Sequence, residues 1–129
     1  MSVEHIKRKK TIPVNDKEYI ELVSKAEDGY DWDEVYLKSD KEKHFVGSYY
    51  TYNYSSSREW MEYNDSYIAL IKQYTYGYDV SNPVIKELFD IKTKAHIKGT
   101  DEELDYIYKL SNNLEEKNKS LKKVRKNTN

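Results

Sequence analysis

Four carboxylates crowd the seven residues from Asp28 to Glu34: Asp28, Asp31, Asp33 and Glu34. Oxygen donors packed this closely are the ligand type of a hard cation such as Mg²⁺ or Ca²⁺. The spacing does not fit the calcium loop D-x-D/N-x-D/N-G, because Gly29 comes too early and no Glu closes the loop. A solvated acidic turn is the plain alternative. A third reading makes Asp31, Asp33 and Glu34 a docking patch for a basic partner, with Tyr30 and Trp32 as aromatic anchors. His5, His44 and His96 stand alone, without HxH, HxxxH or HExxH spacing, and there is no Cys to supply a thiolate. Four glycines leave little material for a phosphate loop, there is no G-x-S-x-G, and Ser55 to Ser57 are accounted for by helix capping. The expectation is a protein without a catalytic centre, metal or cofactor.

The second concentration of chemistry is aromatic. Nine of the fourteen tyrosines fall between Tyr49 and Tyr78, in a chain with two phenylalanines. Each ring brings apolar area and a hydroxyl that wants a partner, so such a cluster is a core reaching the surface or a contact surface. Tyr50, Tyr52 and Tyr54 share one strand face, and Tyr76 and Tyr78 flank Gly77, which marks them as candidate contact residues beside Tyr30 and Trp32. A base-stacking platform interleaves rings with Lys and Arg. Between Tyr49 and Tyr78 there are only Arg58 and Lys72, against Glu59, Glu62 and Asp65, which argues for a protein partner.

The net charge of −1 conceals a partition. Residues 13–116 hold 22 acids against 12 bases, a net of −10, while basic residues gather at the two ends. An acidic body attracts basic protein surfaces and repels nucleic acid. The basic ends, Lys7, Arg8, Lys9 and Lys10 with Lys122, Lys123, Arg125 and Lys126, are the candidate phosphate contacts of a nucleic-acid-binding alternative.

These groups need elements to hold them. Asn15 with Glu18 reads as a capping box opening a helix that Gly29 ends, with Tyr19, Leu22, Val23 and Ala26 as its stripe. Period-two alternation from Trp32 to Tyr54, broken by the polar SDKEK, reads as a β-hairpin. Phe45, Gly47, Tyr49 and Thr51 fall on one face of its second strand, and Val46, Tyr50, Tyr52 and Tyr54 on the other. Ser56 with Glu59 opens a second helix with the stripe Trp60, Tyr63, Tyr67, Leu70, Ile71 and Tyr74. Asn82 and Pro83 open a third, with the stripe Val84, Leu88, Ile91 and Ala95. Thr100 with Glu103 opens the last, with Leu104, Ile107, Leu110, Leu114, Leu121 and Val124. The expected fold class is α+β, a helix-dominated small domain in the order α-β-β-α-α-α with one antiparallel β-hairpin. A basic arm (1–12), one domain (13–116) and a basic helix end and tail (117–129) are the expected divisions.

Lys, Asn, Ile, Tyr, Phe and Met supply 55 residues, and Gly, Ala, Arg and Pro only 12, the signature of an AT-rich genome. Together with the charge pattern, this suggests a small non-enzymatic interaction protein, an accessory protein of a phage or mobile element. Its partner would be a basic nucleic-acid-handling host protein, such as a defence nuclease that it inhibits. No signal peptide or bilayer-length apolar run is visible, so a cytoplasmic location is expected, that of the host cell if phage-encoded. The exposed stripe of the last helix makes self-association a further expectation.

Overall fold

β-Branched and aromatic residues make up six of the ten positions of 67–76 and recur through 19–27 and 30–38, and such side chains fit a pleated, half-buried surface better than a helix. The computed structural model describes residues 5–54, 56–76 and 79–127, and among them nine strands precede one helix. The strands are β1 (His5–Pro13), β2 (Tyr19–Glu27), β3 (Tyr30–Lys38), β4 (Lys43–Tyr52), β5 (Ser57–Tyr63), β6 (Tyr67–Tyr76), β7 (Asp79–Val80), β8 (Val84–Asp90) and β9 (Ala95–His96); the helix is α1 (Asp101–Asn127). One antiparallel sheet runs β1-β2-β3-β4, and a second runs β5-β6-β8-β9 with β7 also paired to β6. The helix-dominated α-β-β-α-α-α order is therefore incorrect: three of its four helices are strands, and the hairpin is half of a four-stranded sheet.

Two cores make three layers. Ile20, Leu22, Val35, Leu37 and Val46 of the first sheet pack against Ile68, Leu70 and Phe89 of the second and Ile91 just beyond β8. The opposite face of the second sheet, through Ala69, Ile71, Ile85 and Leu88, packs against Leu104 and Tyr108 of α1. The continuous apolar run Ile68-Ala69-Leu70-Ile71 follows from this: a central strand covered on both faces is apolar at every position. Its three- and four-residue spacings with Trp60, Tyr63 and Tyr74 imitate a helix stripe. Tyr63 and Tyr74, expected in a core, are exposed.

The turns explain why helix signals misled. Asn15 Oδ1 accepts from the Lys17 and Glu18 backbone N–H groups at 2.9 and 2.8 Å, and its Nδ2 donates to Glu18 Oε1 at 3.1 Å. Those bonds resemble those of a helix cap, but here they close the β1–β2 turn as an Asx turn. Ser39 does the same before β4, and Asn64 before β6. Only at Thr100 and Glu103 do the reciprocal bonds, both 3.2 Å, open a helix.

Two irregularities set the geometry of β4. Opposite the Val35–Tyr36 step, Val46 is an extra residue, so Val46 and Tyr49 both turn toward the core while Phe45 and Tyr50 are exposed. The uninterrupted alternation placing Tyr49 with Phe45 is corrected by this bulge. Gly47 has φ of 152°, and a Cβ there would stand 2.7 Å from Leu70 Cδ1. Glycine is what lets β4 cross the second sheet this closely.

The exposed run Arg8, Lys9 and Lys10 lies on β1, an edge of the first sheet, and β1 ends at Pro13. Charge and proline on an edge discourage pairing with another chain's strand, a structural use for KRKK.

Candidate functional site

The site begins at a tight turn. Asp28 and Gly29 have φ of 52° and 83°, the two left-handed residues of a type I′ hairpin joining β2 to β3. A side chain at position 29 would collide with the Tyr54 hydroxyl, so the chain beyond β4 folds back onto the turn. Tyr54 meets Tyr30 edge-on at 5.1 Å between centroids, Tyr30 meets Tyr50 at 5.9 Å, and Tyr52 meets Tyr54 edge-on at 5.7 Å. Edge-to-face pairs at these separations are attractive through the ring quadrupoles. All four rings remain exposed, from 39% at Tyr30 to 66% at Tyr54, so they form a continuous aromatic surface.

Beside this surface lies a pocket of about 360 Å³ walled by Tyr30, Trp32, Tyr49 and Tyr50. Glu59 of β5 forms its floor: its side chain is 3% exposed, Lys86 Nζ lies 2.6 Å from Oε1, and the Tyr50 backbone N–H donates to the same oxygen at 3.2 Å. Glu27 and Asp28 complete the lining, so three carboxylates face one ammonium. An adjoining hollow of about 370 Å³ shares Tyr30, Tyr50 and Glu59 and extends to Tyr54 and Lys72. A larger concavity of about 770 Å³ lies between the β1–β2 and β3–β4 turns, but apart from Tyr19 its lining is mostly polar turn residues without converging rings.

Behind the pocket, Asp33 is 5% exposed. It accepts from the Ser24 hydroxyl at 2.6 Å and the Tyr49 hydroxyl at 2.7 Å. Burial first, and then this bond to a carboxylate, raise the Tyr49 pKa far above that of an ordinary phenol. Arg8 Nε donates weakly to Ser24 Oγ at 3.5 Å, which ties β1 into the network. The network braces the pocket wall from inside.

The candidate residues thus separate. Tyr30, Trp32, Tyr50, Tyr52 and Tyr54 come together. Asp33 points inward, and Glu34 binds Lys25 at 2.9 Å and the Tyr36 hydroxyl at 2.9 Å and touches the Trp32 side chain, without lining the pocket itself. Burial pushes the Glu34 carboxyl up, but its bonds to Lys25 and Tyr36 outweigh that and hold it below the ordinary value. Asp31 is half-buried opposite Tyr52. Among the described residues no three acidic or histidine side chains are grouped to hold a metal. Tyr78 and the side chains of Tyr76, Lys7, Lys122, Lys123, Arg125 and Lys126 lie outside the described residues. Sequence reasoning missed Glu27, Tyr49, Glu59 and Lys86; only Asp28-Gly29, a hairpin dipeptide, signalled that Glu27 and Tyr30 face each other.

Fold and site together define a two-sheet antiparallel β domain with a C-terminal helix and an acidic aromatic hollow on one side. No family model, curated protein or solved structure matches the chain. Nothing in the fold or these comparisons supports the expected phage origin or inhibitory role. Among the described residues no helix is long and apolar enough to cross a membrane.

Proposed function

We propose that this is a binding protein whose aromatic hollow docks a basic side chain on the surface of another protein. The observation carrying this reading is the convergence of Tyr30, Trp32, Tyr50 and Tyr54 on two adjoining hollows that Glu27, Asp28 and Glu59 also line, with Tyr52 packed edge-on against Tyr54 at the rim. Ring faces attract ammonium and guanidinium groups, and neighbouring carboxylates add Coulomb attraction. Exposed Tyr and Trp are also the side chains that carry most energy at protein contacts. Because Lys86 and Tyr50 N–H engage one oxygen of Glu59, the floor is held in place before a partner arrives.

The experiment is fluorescence anisotropy with labelled peptides of matched length, one Arg- and Lys-rich and one Glu-rich, and with a DNA duplex. The basic peptide should bind, weaken with salt, and lose about tenfold in affinity in Tyr30→Ala or Tyr50→Ala. Preferential binding of DNA, or basic-peptide binding indifferent to both substitutions, refutes the assignment.

A further inference from the structure

The C-terminal helix carries more apolar surface than the body uses. Leu104 and Tyr108 are buried against the second sheet, and Asn64 and Asp65 reach Ser111, Asn112 and Glu115 by hydrogen bonds. At about 100° per residue these contacts occupy one helix face. Leu110, Leu114 and Leu121 lie about a third of a turn away and are 45%, 53% and 48% exposed. They follow a heptad in which 114 and 121 are one core position and 110 and 117 the other; Ile107, one heptad before 114, is half-buried against the second-sheet core at the edge of the stripe. Lys117 is the polar member of the stripe, and a polar core residue specifies register and orientation in paired helices.

Charge along α1 is segregated. Asp101, Glu102, Glu103 and Asp105 open the helix, and from residue 117 onward every charged residue is basic. A parallel pair would set acid beside acid and base beside base; an antiparallel pair sets each acidic start against a basic end. From the heptad and this charge order we infer that α1 pairs with α1 of a second copy in an antiparallel two-helix coil. Its natural register places Leu110 against Leu121 and Leu114 against Lys117. The aliphatic stem of Lys117 covers the leucine while its ammonium reaches water. Leu110, Leu114 and Leu121 are turned away from the contacts with the second sheet, and no residue of α1 lines the aromatic hollow. This association is independent of the proposed function.

Sedimentation across a hundredfold concentration series tests it. The chain should pass from monomer to dimer, and Leu114→Asp with Leu121→Asp should abolish the dimer while leaving the β-sheet circular dichroism unchanged, since both leucines are exposed. Orientation is read from spin labels, placed freely because the chain has no Cys. Labels at Glu116→Cys should lie close together across the dimer. Labels at Glu102→Cys should lie roughly 40 Å apart, from 1.5 Å per residue. A monomer at every concentration, a dimer that survives the double substitution, or short distances at both positions each overturn the inference.

Discussion

Replacing Gly47 by alanine should destabilise the fold at the crossing point of its two sheets. The residue sits at φ 152°, a region that residues with a Cβ rarely enter, at roughly 1–3 kcal/mol. The added Cβ would also lie 2.7 Å from Leu70 Cδ1 and 3.4 Å from Glu87 Cγ. Leu70 is fully buried between layers, so its Cδ1 can yield only by repacking the core, and overpacking adds about 1–3 kcal/mol. The total is roughly 2–6 kcal/mol, a Tm lowered by about 6–30 °C for a domain of this size. Urea denaturation followed by circular dichroism gives the free energy, and a thermal melt gives the shift. Gly99→Ala is the control, because its new Cβ approaches nothing nearer than Glu103 Cβ at 3.3 Å and no left-handed φ is involved. A loss below about 1 kcal/mol at Gly47, or equal losses at both glycines, would refute the claim that close sheet crossing demands this residue.

Three further outcomes follow from the same geometry. Leu104→Ala, at the helix–sheet core, should cost about 2–4 kcal/mol in urea unfolding, and a loss near zero would mean that α1 does not dock as described. Asn64→Ala removes bonds to Ser111, Asn112, Ser66 N and Tyr67 N, so about 2–3 kcal/mol should be lost; Asn64→Asp, which keeps the turn acceptor, should lose less. Glu18, Glu34 and Glu115 have folded-state pKa values below the ordinary 4.5, so each stabilises the fold above that value and loses its contribution as pH falls through it toward the lower folded value. Stability measured against pH should therefore be level near neutrality and fall below about pH 4.5. Glu34→Gln should lower the neutral plateau and flatten the acid fall; a curve merely displaced in parallel would contradict the assigned pairing with Lys25 and Tyr36.

What could be seen in the sequence depended on how local the deciding interaction was. Thr100 with Glu103 acts within one turn, and the helix it opens was legible. The alternation of 32–54, with SDKEK between its arms, also names its own turn, and β3 and β4 lie there. Asn15-Glu18 is as local, yet its hydrogen bonds suit an Asx turn as well as a helix cap, and only pairing with β2 decides. Ile68 to Ile71 are apolar at every position because a sheet covers one face and a helix the other, a fact about partners remote in sequence. Gly29 was read as a helix stop, although Asp28-Gly29 is equally the dipeptide of a type I′ hairpin turn, which it forms here. Tyr50, Tyr52 and Tyr54 do not share one strand face as the alternation implied. A second bulge sets Tyr50 opposite Trp32 and Tyr52 opposite Asp31, and Tyr54 lies beyond β4, so their ring contacts come through the returning chain. In the hollow, Glu59 and Lys86 were not legible, because their meeting depends on how β5 and β8 are brought beneath β4.

The central claim is that the aromatic hollow is where a basic partner docks. Amide chemical shifts in ¹⁵N-labelled protein, followed while an Arg- and Lys-rich peptide is added, test it most directly. Shifts concentrated at Glu27 to Trp32, Tyr49 to Tyr54, Glu59 and Lys86, and abolished by Tyr30→Ala, are the predicted result. Shifts confined to other surfaces, or none at saturating peptide, would contradict it.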